Sequence, residues 1–262
     1  MKRVAKIILI LFLITTFIAF FALVNLFLRR RLRDAYLSRL SHISSVLIRW
    51  ILGIRIRVIG AMPPKAPTNT GFFFVCNHVS YLDGIILSSV FPMLFIGRGD
   101  LKDWPLLGIF TRLSGTIFVN RNSAANIHAD IAHIESVLRN GVNVILFPEG
   151  TTTDGNKILP FKSAFFQAPI SCQCPIVALS INYVTINGGP VTQANKDNLY
   201  WYSETGFLTH FMRVLALDVI EVEVRLSEAI DEFSTHNRKT VRTLMQKTIE
   251  ENLRKVCAPH TV

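Results

Sequence analysis

The sequence has few of the features that define several common protein classes. Its four cysteines are too few and too scattered for the disulfide framework of a small secreted protein. They also group too few ligands for a zinc site, so no bound metal is predicted. No internal repeat or low-complexity tract interrupts the 262 residues, which suffice for one domain of ordinary size and an appendage.

Acidic side chains are almost absent from the first 70 residues, where Asp34 stands among twelve lysines and arginines. Residues 71–262 hold the other 16 basic residues and 17 acidic ones, so the net charge of +10 originates in the N-terminal part. A nearly neutral remainder argues against a nucleic-acid surface. A basic N-terminal part suits anionic lipid headgroups, to which each Lys or Arg adds about 1 kcal/mol of attraction.

Charge is missing altogether from Ile7 to Leu28, a run of 22 residues. A helix of that length is about 33 Å long, enough to cross a hydrocarbon layer of about 30 Å. The run ends in the basic sequence RRRLRD rather than at a small-residue cleavage site, which favours a retained single-pass helix over a secretory signal peptide. The excess of basic residues on its C-terminal side predicts that the globular part faces the cytoplasm.

These patterns divide the chain into three parts. Residues 1–34 form a predicted membrane anchor with basic flanks, and residues 63–262 form a predicted globular domain. Between them, residues 35–62 alternate large apolar side chains with Ser and Arg, which is typical of interfacial amphipathic helices that lead into a strand. An ordinary helix packed on the domain would produce the same pattern.

Short apolar stretches alternate with helical ones after residue 70. Strands are predicted at residues 72–76, 116–120, 142–147, 175–183 and 219–226, and helices at 122–141 and 234–256. This alternation predicts an α/β fold with a mixed, largely buried sheet flanked by helices and preceded by the transmembrane helix. Such sheets carry their sites at the carboxyl ends of the strands.

Polar side chains follow three of the predicted strands. The first strand is followed by Asn77, His78, Ser80 and Asp83, the second by Asn120 and Arg121, and the third by Glu149, Gly150 and the sequence TTTDG. Because the carboxyl ends of parallel strands meet at one edge of a sheet, these side chains are expected to share a site.

His78 and Asp83 are the candidate reaction centre. Asp83 can accept a hydrogen bond from one ring nitrogen of His78 across the turn, which fixes the tautomer and leaves the other nitrogen to take a proton. The alternative is a polar helix start in which both residues are solvated. Spacing alone does not decide, because one such pair is expected by chance in a chain with seven histidines.

Ser80 introduces another function class, a serine esterase or thioesterase. The chain lacks the G-x-S-x-G elbow of many serine hydrolases, which disfavours this mechanism. Asn77 and Ser80 otherwise position a substrate or shape the turn.

A second informative stretch, FPEGTTTDGNKILPFK, covers residues 147–162. Pro148 ends the strand, Glu149 brings a carboxylate to its end, and Gly150 lets the backbone approach a ligand closely. Lys162 follows in the same loop. A plain polar loop with an Asp-Gly turn at residues 154–155 would account for the same residues.

Together these stretches resemble the glycerolipid acyltransferases of the 1-acylglycerol-3-phosphate O-acyltransferase family. The corresponding blocks are NHVSYLD (77–83), GTIFVNR (115–121), FPEGTTT (147–153) and CPIVALS (174–180). All four occur in the order that the family shows. The resemblance implies transfer of a fatty acyl chain from a coenzyme A or acyl carrier protein thioester to a hydroxyl of a lysolipid, with no resident cofactor.

The resemblance also implies roles for the residues. His78, oriented by Asp83, would act as general base on the acceptor hydroxyl, which attacks the thioester directly without a covalent enzyme intermediate. By similarity, the acceptor side is lined by Arg121, Glu149, Gly150 and Thr151, with Lys162 as a further positive charge. A membrane anchor suits this reaction because acceptor and product are both bilayer lipids. Intact blocks argue against a catalytically silent membrane scaffold.

Two positions depart from the family pattern. Thr152 stands where many members carry an arginine, a residue well suited to bidentate phosphate binding. Asn120 stands where the family often has aspartate. The stretch from Phe147 onward is similar to the subgroup that includes bacterial lyso-ornithine lipid acyltransferases. Lysophosphatidic acid and an ornithine-containing lysolipid are therefore the two expected acceptors.

Overall fold

The computed structural model describes residues 2–61, 66, 69–104, 107–119, 124–202, 205–231 and 237–257. Its helices are α1 (Lys2–Phe27), α2 (Arg30–Leu52), α3 (Leu82–Val90), α4 (Leu107–Leu113), α5 (Ala124–Arg139), α6 (Gln167–Ser171), α7 (Phe207–Leu215) and α8 (Arg238–Cys257). Its strands are β1 (Ile54–Ile59), β2 (Phe73–Cys76), β3 (Leu94–Arg98), β4 (Ile117–Val119), β5 (Val144–Leu146), β6 (Ile176–Ile186), β7 (Gly189–Pro190) and β8 (Ile220–Leu226). Short 3₁₀ turns lie at Gly99–Asp103, Ala164–Phe166 and Lys196–Asn198.

Within these residues the strands form one eight-stranded sheet in the order β1-β8-β6-β2-β5-β3-β4, with β7 paired to β6. Strands β2 to β6 are mutually parallel, whereas β8 runs antiparallel to β6 and carries β1 parallel to itself at the edge. The predicted mixed α/β sheet is confirmed, and all five predicted strands are present. β1 lies inside the 35–62 segment and therefore shares the sheet with the rest of the domain.

The two faces of the sheet carry separate apolar clusters because successive strand residues point to opposite faces. Phe73 and Val75 of β2 belong to the cluster that includes α5 and α8 residues, whereas Phe74 and Cys76 belong to the cluster that includes α3 and α7 residues. All residues of β2 and β5 are buried, which confirms the prediction of a largely buried sheet.

The sequence patterns did not predict β3 or α7. β3 is only five residues long and contains Gly97, at which an added Cβ would lie 2.7 Å from Thr116 Cγ2. Its pairing with β5 and β4 on either side, rather than a local alternation of side chains, makes it a strand. α7 has nine residues, too few for its helical period to stand out in the sequence.

α1 is the helix of the described residues that is long and apolar enough, by length and composition, to cross a membrane. One face contacts the domain through buried Phe17 and Phe21. Near its start Lys6 Nζ donates to the Leu217 carbonyl at 2.6 Å, and near its end Asn25 Nδ2 donates to the carbonyl of residue 113 at 2.9 Å. The other face exposes large apolar side chains, which include Val4, Ile8, Leu11, Phe12, Leu23 and Phe27.

α2 continues this arrangement through most of the 35–62 segment. One side of α2 packs on the domain, including α3, and buries Leu37 and Leu52, whereas the other side exposes Tyr36, Ile43 and Trp50. The helix is thus packed on the domain along one side and apolar along the other.

Candidate active site

His78 lies in the turn between β2 and α3. Its Nδ1 is 2.8 Å from Asp83 Oδ2, the contact predicted from the sequence. The Asp83 side chain is fully buried in the first turn of α3, whereas 21% of the His78 side chain is exposed. Because Asp83 occupies Nδ1, Nε2 is the ring nitrogen that can accept a proton. The pair is a buried unit with one accessible member, not two solvated residues.

Asp83 is held by more donors than His78 alone. Its Oδ2 also accepts the backbone N–H groups of Val79 at 2.8 Å and Ser80 at 2.9 Å, and its Oδ1 accepts the Tyr183 hydroxyl at 2.8 Å. Burial raises the pKa of Tyr183 well above its ordinary value and the nearby Asp83 raises it further, so the phenol stays protonated and donates. Four donors fix the carboxylate in one orientation toward His78.

The imidazole ring of His78 stacks on Phe147, with ring centroids 4.0 Å apart and planes 13° apart. Phe147 directly follows β5, the neighbour of β2 in the sheet, and Phe95 stacks behind it at 6.3 Å. The stack and the Asp83 bond together fix the position and rotation of the ring. Phe147 was missed as a site residue, although it is the first letter of the FPEGT block.

Glu149 holds the backbone of the same turn. Its Oε1 accepts the His78 N–H at 2.9 Å and its Oε2 accepts the Leu159 N–H at 2.9 Å. The residue is 4% exposed. Burial raises the pKa of Glu149 above its ordinary value, and the two backbone N–H bonds partly oppose this because they stabilise the ionised form. Glu149 therefore ties the end of β5 to the His78 turn and to the far side of the following loop.

The loop after Glu149 contacts His78 directly. Thr153 donates its backbone N–H to the His78 carbonyl at 3.0 Å. Gly150 has a positive φ of 82°, a conformation that favours glycine, and Thr151 is exposed. The exposed Lys162 borders a pocket of about 90 Å³ whose other lining residues are Ile127, Leu146, Pro148, Ala164 and Phe165. Arg121 and Asn120 lie outside the described residues.

A family model described as Acyltransferase matches residues 55–182. The lyso-ornithine lipid O-acyltransferase of Rhizobium meliloti is 34% identical over 210 residues, which cover 78% of this chain and 70% of that protein. The 1-acyl-sn-glycerol-3-phosphate acyltransferase of Neisseria gonorrhoeae is 30% identical over 200 residues, or 76% of this chain and 74% of that protein. The chain belongs to the acyltransferase family.

The fold of this acyltransferase is also that of a solved relative. The crystal structure of the 1-acyl-sn-glycerophosphate (LPA) acyltransferase PlsC from Thermotoga maritima superposes with a TM-score of 0.64 at 19% identity, over 100% of both chains. At this identity the likeness concerns the fold alone.

Asn77 and Ser80 of the acyltransferase hold the turn in place. The buried Asn77 amide donates to the Ile181 carbonyl at 3.0 Å and accepts the Ile181 N–H at 2.9 Å, which joins the end of β2 to β6. Ser80 is fully buried, and its hydroxyl accepts the Leu82 N–H at 3.3 Å. Of the two roles considered for these residues, shaping the turn is the one that their contacts display.

The predicted site residues thus fall into three groups in the acyltransferase. His78, Asp83 and Glu149 are joined by hydrogen bonds, and Asn77 and Ser80 support their turn. Gly150, Thr151 and Lys162 lie on the loop beyond Glu149. Among the residues that the structure describes, no group of three or more His, Cys, Asp or Glu side chains is arranged to hold a metal ion.

Proposed function

We propose that this acyltransferase moves a fatty acyl chain from a coenzyme A or acyl carrier protein thioester to the free hydroxyl of a lysolipid, with His78 as general base. The observation that carries the proposal is the buried Asp83 carboxylate bonded to Nδ1 of a partly exposed His78. Lysophosphatidic acid is the first acceptor to consider, and lyso-ornithine lipid is the alternative. The names of the relatives support a lysolipid acceptor, and Thr152 favours the alternative because it cannot bind phosphate as an arginine does.

The proposed reaction requires one proton carrier. His78 Nε2 takes the proton of the acceptor hydroxyl while the hydroxyl oxygen forms a bond to the thioester carbonyl carbon. The tetrahedral intermediate then collapses, the carbon–sulfur bond breaks, and the thiolate leaves and recovers the proton from the imidazolium. Asp83 stabilises the imidazolium. A thiol has a pKa of about 8.5, by analogy with cysteine, so the thiolate can leave with little assistance from a proton donor.

A serine nucleophile fits the geometry poorly. A nucleophile must reach the substrate carbonyl, and the Ser80 side chain is fully buried beneath the turn. We therefore expect no labelling of Ser80 by a serine-directed fluorophosphonate. Labelling that is lost in Ser80→Ala would instead support the esterase alternative.

The test uses the full-length protein in detergent with acyl-coenzyme A and acyl carrier protein donors. Products from a panel containing lysophosphatidic acid and lyso-ornithine lipid are identified by mass spectrometry. We expect transfer by the wild type, a loss of roughly 10² to 10⁴-fold in His78→Ala, and no change in His128→Ala, an exposed histidine on α5. Wild-type rates in His78→Ala would rule out the proposed base. The dominant product identifies the acceptor headgroup.

We propose that the enzyme attaches to a membrane through α1, with the globular domain on the cytoplasmic side. The apolar outer face of α1 and the basic N-terminal 70 residues support this. Exposed apolar side chains also occur on two other helices that contact α1, Ile109 on α4 and Leu208 and Met212 on α7. We propose that these side chains contact the same bilayer as the outer face of α1.

Two arrangements of α1 on a membrane differ in the contacts that the helix makes with the domain. A helix that spans the bilayer must give up the bonds of Lys6 and Asn25, since both carbonyl acceptors belong to the domain. A helix that keeps both bonds lies along one leaflet beside the domain. If protease cleaves an N-terminal tag only from the membrane side opposite the domain, α1 spans the bilayer. If protease cleaves the tag from the same side as the domain, α1 lies along one leaflet.

The α7 contribution has a matched control. Replacing Leu208 and Met212 by Asp should weaken binding to anionic phosphatidylglycerol vesicles in a flotation assay, because charges then enter the interface. Leu244→Asp alters an exposed leucine on α8 and should have no effect. Equal effects of the changes on α7 and α8 would contradict the proposed surface.

A further inference from the structure

The loop that follows Glu149 is supported by a distant part of the chain. We call residues 150–157 the acceptor loop and residues 193–202, which follow β7, the clamp segment. Within the acceptor loop, Asn156 N–H donates to Asp154 Oδ1 at 3.1 Å and Gly155 has a positive φ of 73°. These local bonds shape the tip of the loop, residues 154–156. The clamp segment attaches this tip to the rest of the protein.

Lys196 is the centre of the clamp segment. The residue is 7% exposed, and its Nζ donates to the Asp154 carbonyl at 2.8 Å and to Asn156 Oδ1 at 3.3 Å. Asp154 Oδ2 lies 3.7 Å from the same nitrogen. Burying an ammonium group is unfavourable unless it is paired and hydrogen-bonded. Among the described residues, the hydrogen-bond and ion-pair partners of this ammonium are Asp154 and Asn156 of the acceptor loop, so the burial of Lys196 and the position of the loop depend on each other.

Two neighbours hold the same tip. Gln193 Nε2 donates to Asn156 Oδ1 at 2.8 Å. The ring of Tyr200 lies against Gly155, where an added Cβ would be 2.5 Å from Tyr200 Cε2. Tyr200 in turn lies next to Tyr183, with ring centroids 5.7 Å apart. The tip is therefore held by a charge, an amide and an aromatic ring, all supplied by the clamp segment.

The other end of the acceptor loop adjoins the reaction centre. Thr153 N–H donates to the His78 carbonyl, and Glu149 accepts the His78 N–H, so both ends of the intervening stretch are fixed to the His78 backbone. The exposed Thr151 and the partly exposed Thr152 lie in that stretch. Thr153 joins this stretch to the tip, because its hydroxyl accepts the Gly155 N–H at 3.3 Å. A shift of the tip would therefore displace Thr153 and, through it, Thr151 and Thr152, while the bond between His78 and Asp83 stayed intact because the loop takes no part in it.

We propose that Lys196 is a positioning residue that sets the acceptor loop and thereby determines which lysolipid headgroup the enzyme accepts. This inference rests on the proposed function. Lys196 acts through Asp154 and Asn156 and does not itself contact the substrate. Its loss leaves the tip without its ammonium anchor, so the acceptor is affected while the thioester donor and the reaction centre are not.

The test compares three variants of the full-length protein. Lys196→Met removes the charge at similar length, Gln193→Ala removes an exposed second contact, and Lys247→Met removes an exposed lysine of α8 as the matched control. For each variant, kcat and KM are measured with lysophosphatidic acid and lyso-ornithine lipid at saturating donor. The KM for the donor and the melting temperature are measured in parallel.

We expect Lys196→Met to change the ratio of kcat/KM for the two lysolipids by about tenfold while the KM for the donor stays constant. Gln193→Ala should change the ratio in the same direction by a smaller factor, and Lys247→Met should not change it. The exposed Gln193 can be removed with little risk to folding, so its variant decides the matter where Lys196→Met does not fold.

Two outcomes overturn the inference in distinguishable ways. If the wild type acylates both lysolipids and each variant loses kcat/KM by the same factor with both of them, Lys196 only stabilises the fold. If the wild type transfers to neither lysolipid from either donor, the proposed function fails and the selectivity role fails with it.

Discussion

The turn that carries His78 and the acceptor loop beside it are held in different ways. Three of the four donors to Asp83 come from residues three to five positions away in the sequence. The tip of the acceptor loop depends on Lys196 and Gln193, which are 37 to 42 positions away. This difference underlies our proposal that the chemistry of this enzyme depends on one short segment and its headgroup selectivity on a separate part of the fold.

The largest effect is expected where the local segment itself is changed. Asp83→Asn removes the charge that stabilises the imidazolium and presents an amide N–H₂ where donors already converge. We expect the rate of transfer to fall roughly 10³ to 10⁴-fold with both lysolipids, as for the aspartate of other His-based sites. The measurement is kcat, with the exposed Asp100→Asn as control. A rate within a few fold of wild type would show that His78 works without its partner.

The local segment was also the part that sequence reasoning could reach. A bond between His78 and Asp83 needs only the end of a strand and the first turn of a helix, and both were predicted from residues nearby. The five strands predicted from the apolar patterns are likewise all present in the structure, because buried strands are short apolar runs bounded by polar residues.

Contacts between distant segments were beyond the same reasoning. Phe147 stacks on His78 and Tyr183 donates to Asp83 only because β5 and β6 flank β2 in the sheet. Strand order is a property of the whole fold, and one sequence does not determine it. Lys196 was missed because a lysine in a polar stretch is normally solvated, and its contact with the acceptor loop depends on the whole fold.

An intermediate effect is expected where the two regions meet, at Glu149. Glutamine has one oxygen, so in Glu149→Gln either His78 N–H or Leu159 N–H would face an amide N–H₂ instead of an acceptor. An unsatisfied buried donor costs about 1–3 kcal/mol, which corresponds to a melting temperature lower by roughly 2–10 °C. We expect a loss of activity smaller than that of Asp83→Asn, together with this loss of stability.

The two readouts of Glu149→Gln decide its role. Lower stability with a moderate loss of activity would confirm that Glu149 positions His78 and the acceptor loop. An unchanged melting temperature with an activity as low as that of Asp83→Asn would instead place Glu149 in the chemistry and remove the distinction between the two regions.

The smallest effect is expected at Tyr183, which reaches the reaction centre from β6. Tyr183→Phe keeps the ring and removes one of four donors to Asp83, while His78, Val79 and Ser80 still bind Oδ2. The loss of about 1 kcal/mol of hydrogen bonding predicts a fall of roughly fivefold in kcat/KM. Because the acceptor loop is untouched, the fall should be equal for lysophosphatidic acid and lyso-ornithine lipid, and absent in the exposed Tyr36→Phe.

Lys196→Met is expected to have the opposite pattern, a changed ratio of kcat/KM for the two lysolipids. A changed ratio in Tyr183→Phe would show that selectivity passes through Asp83 as well, and that the two regions do not act separately.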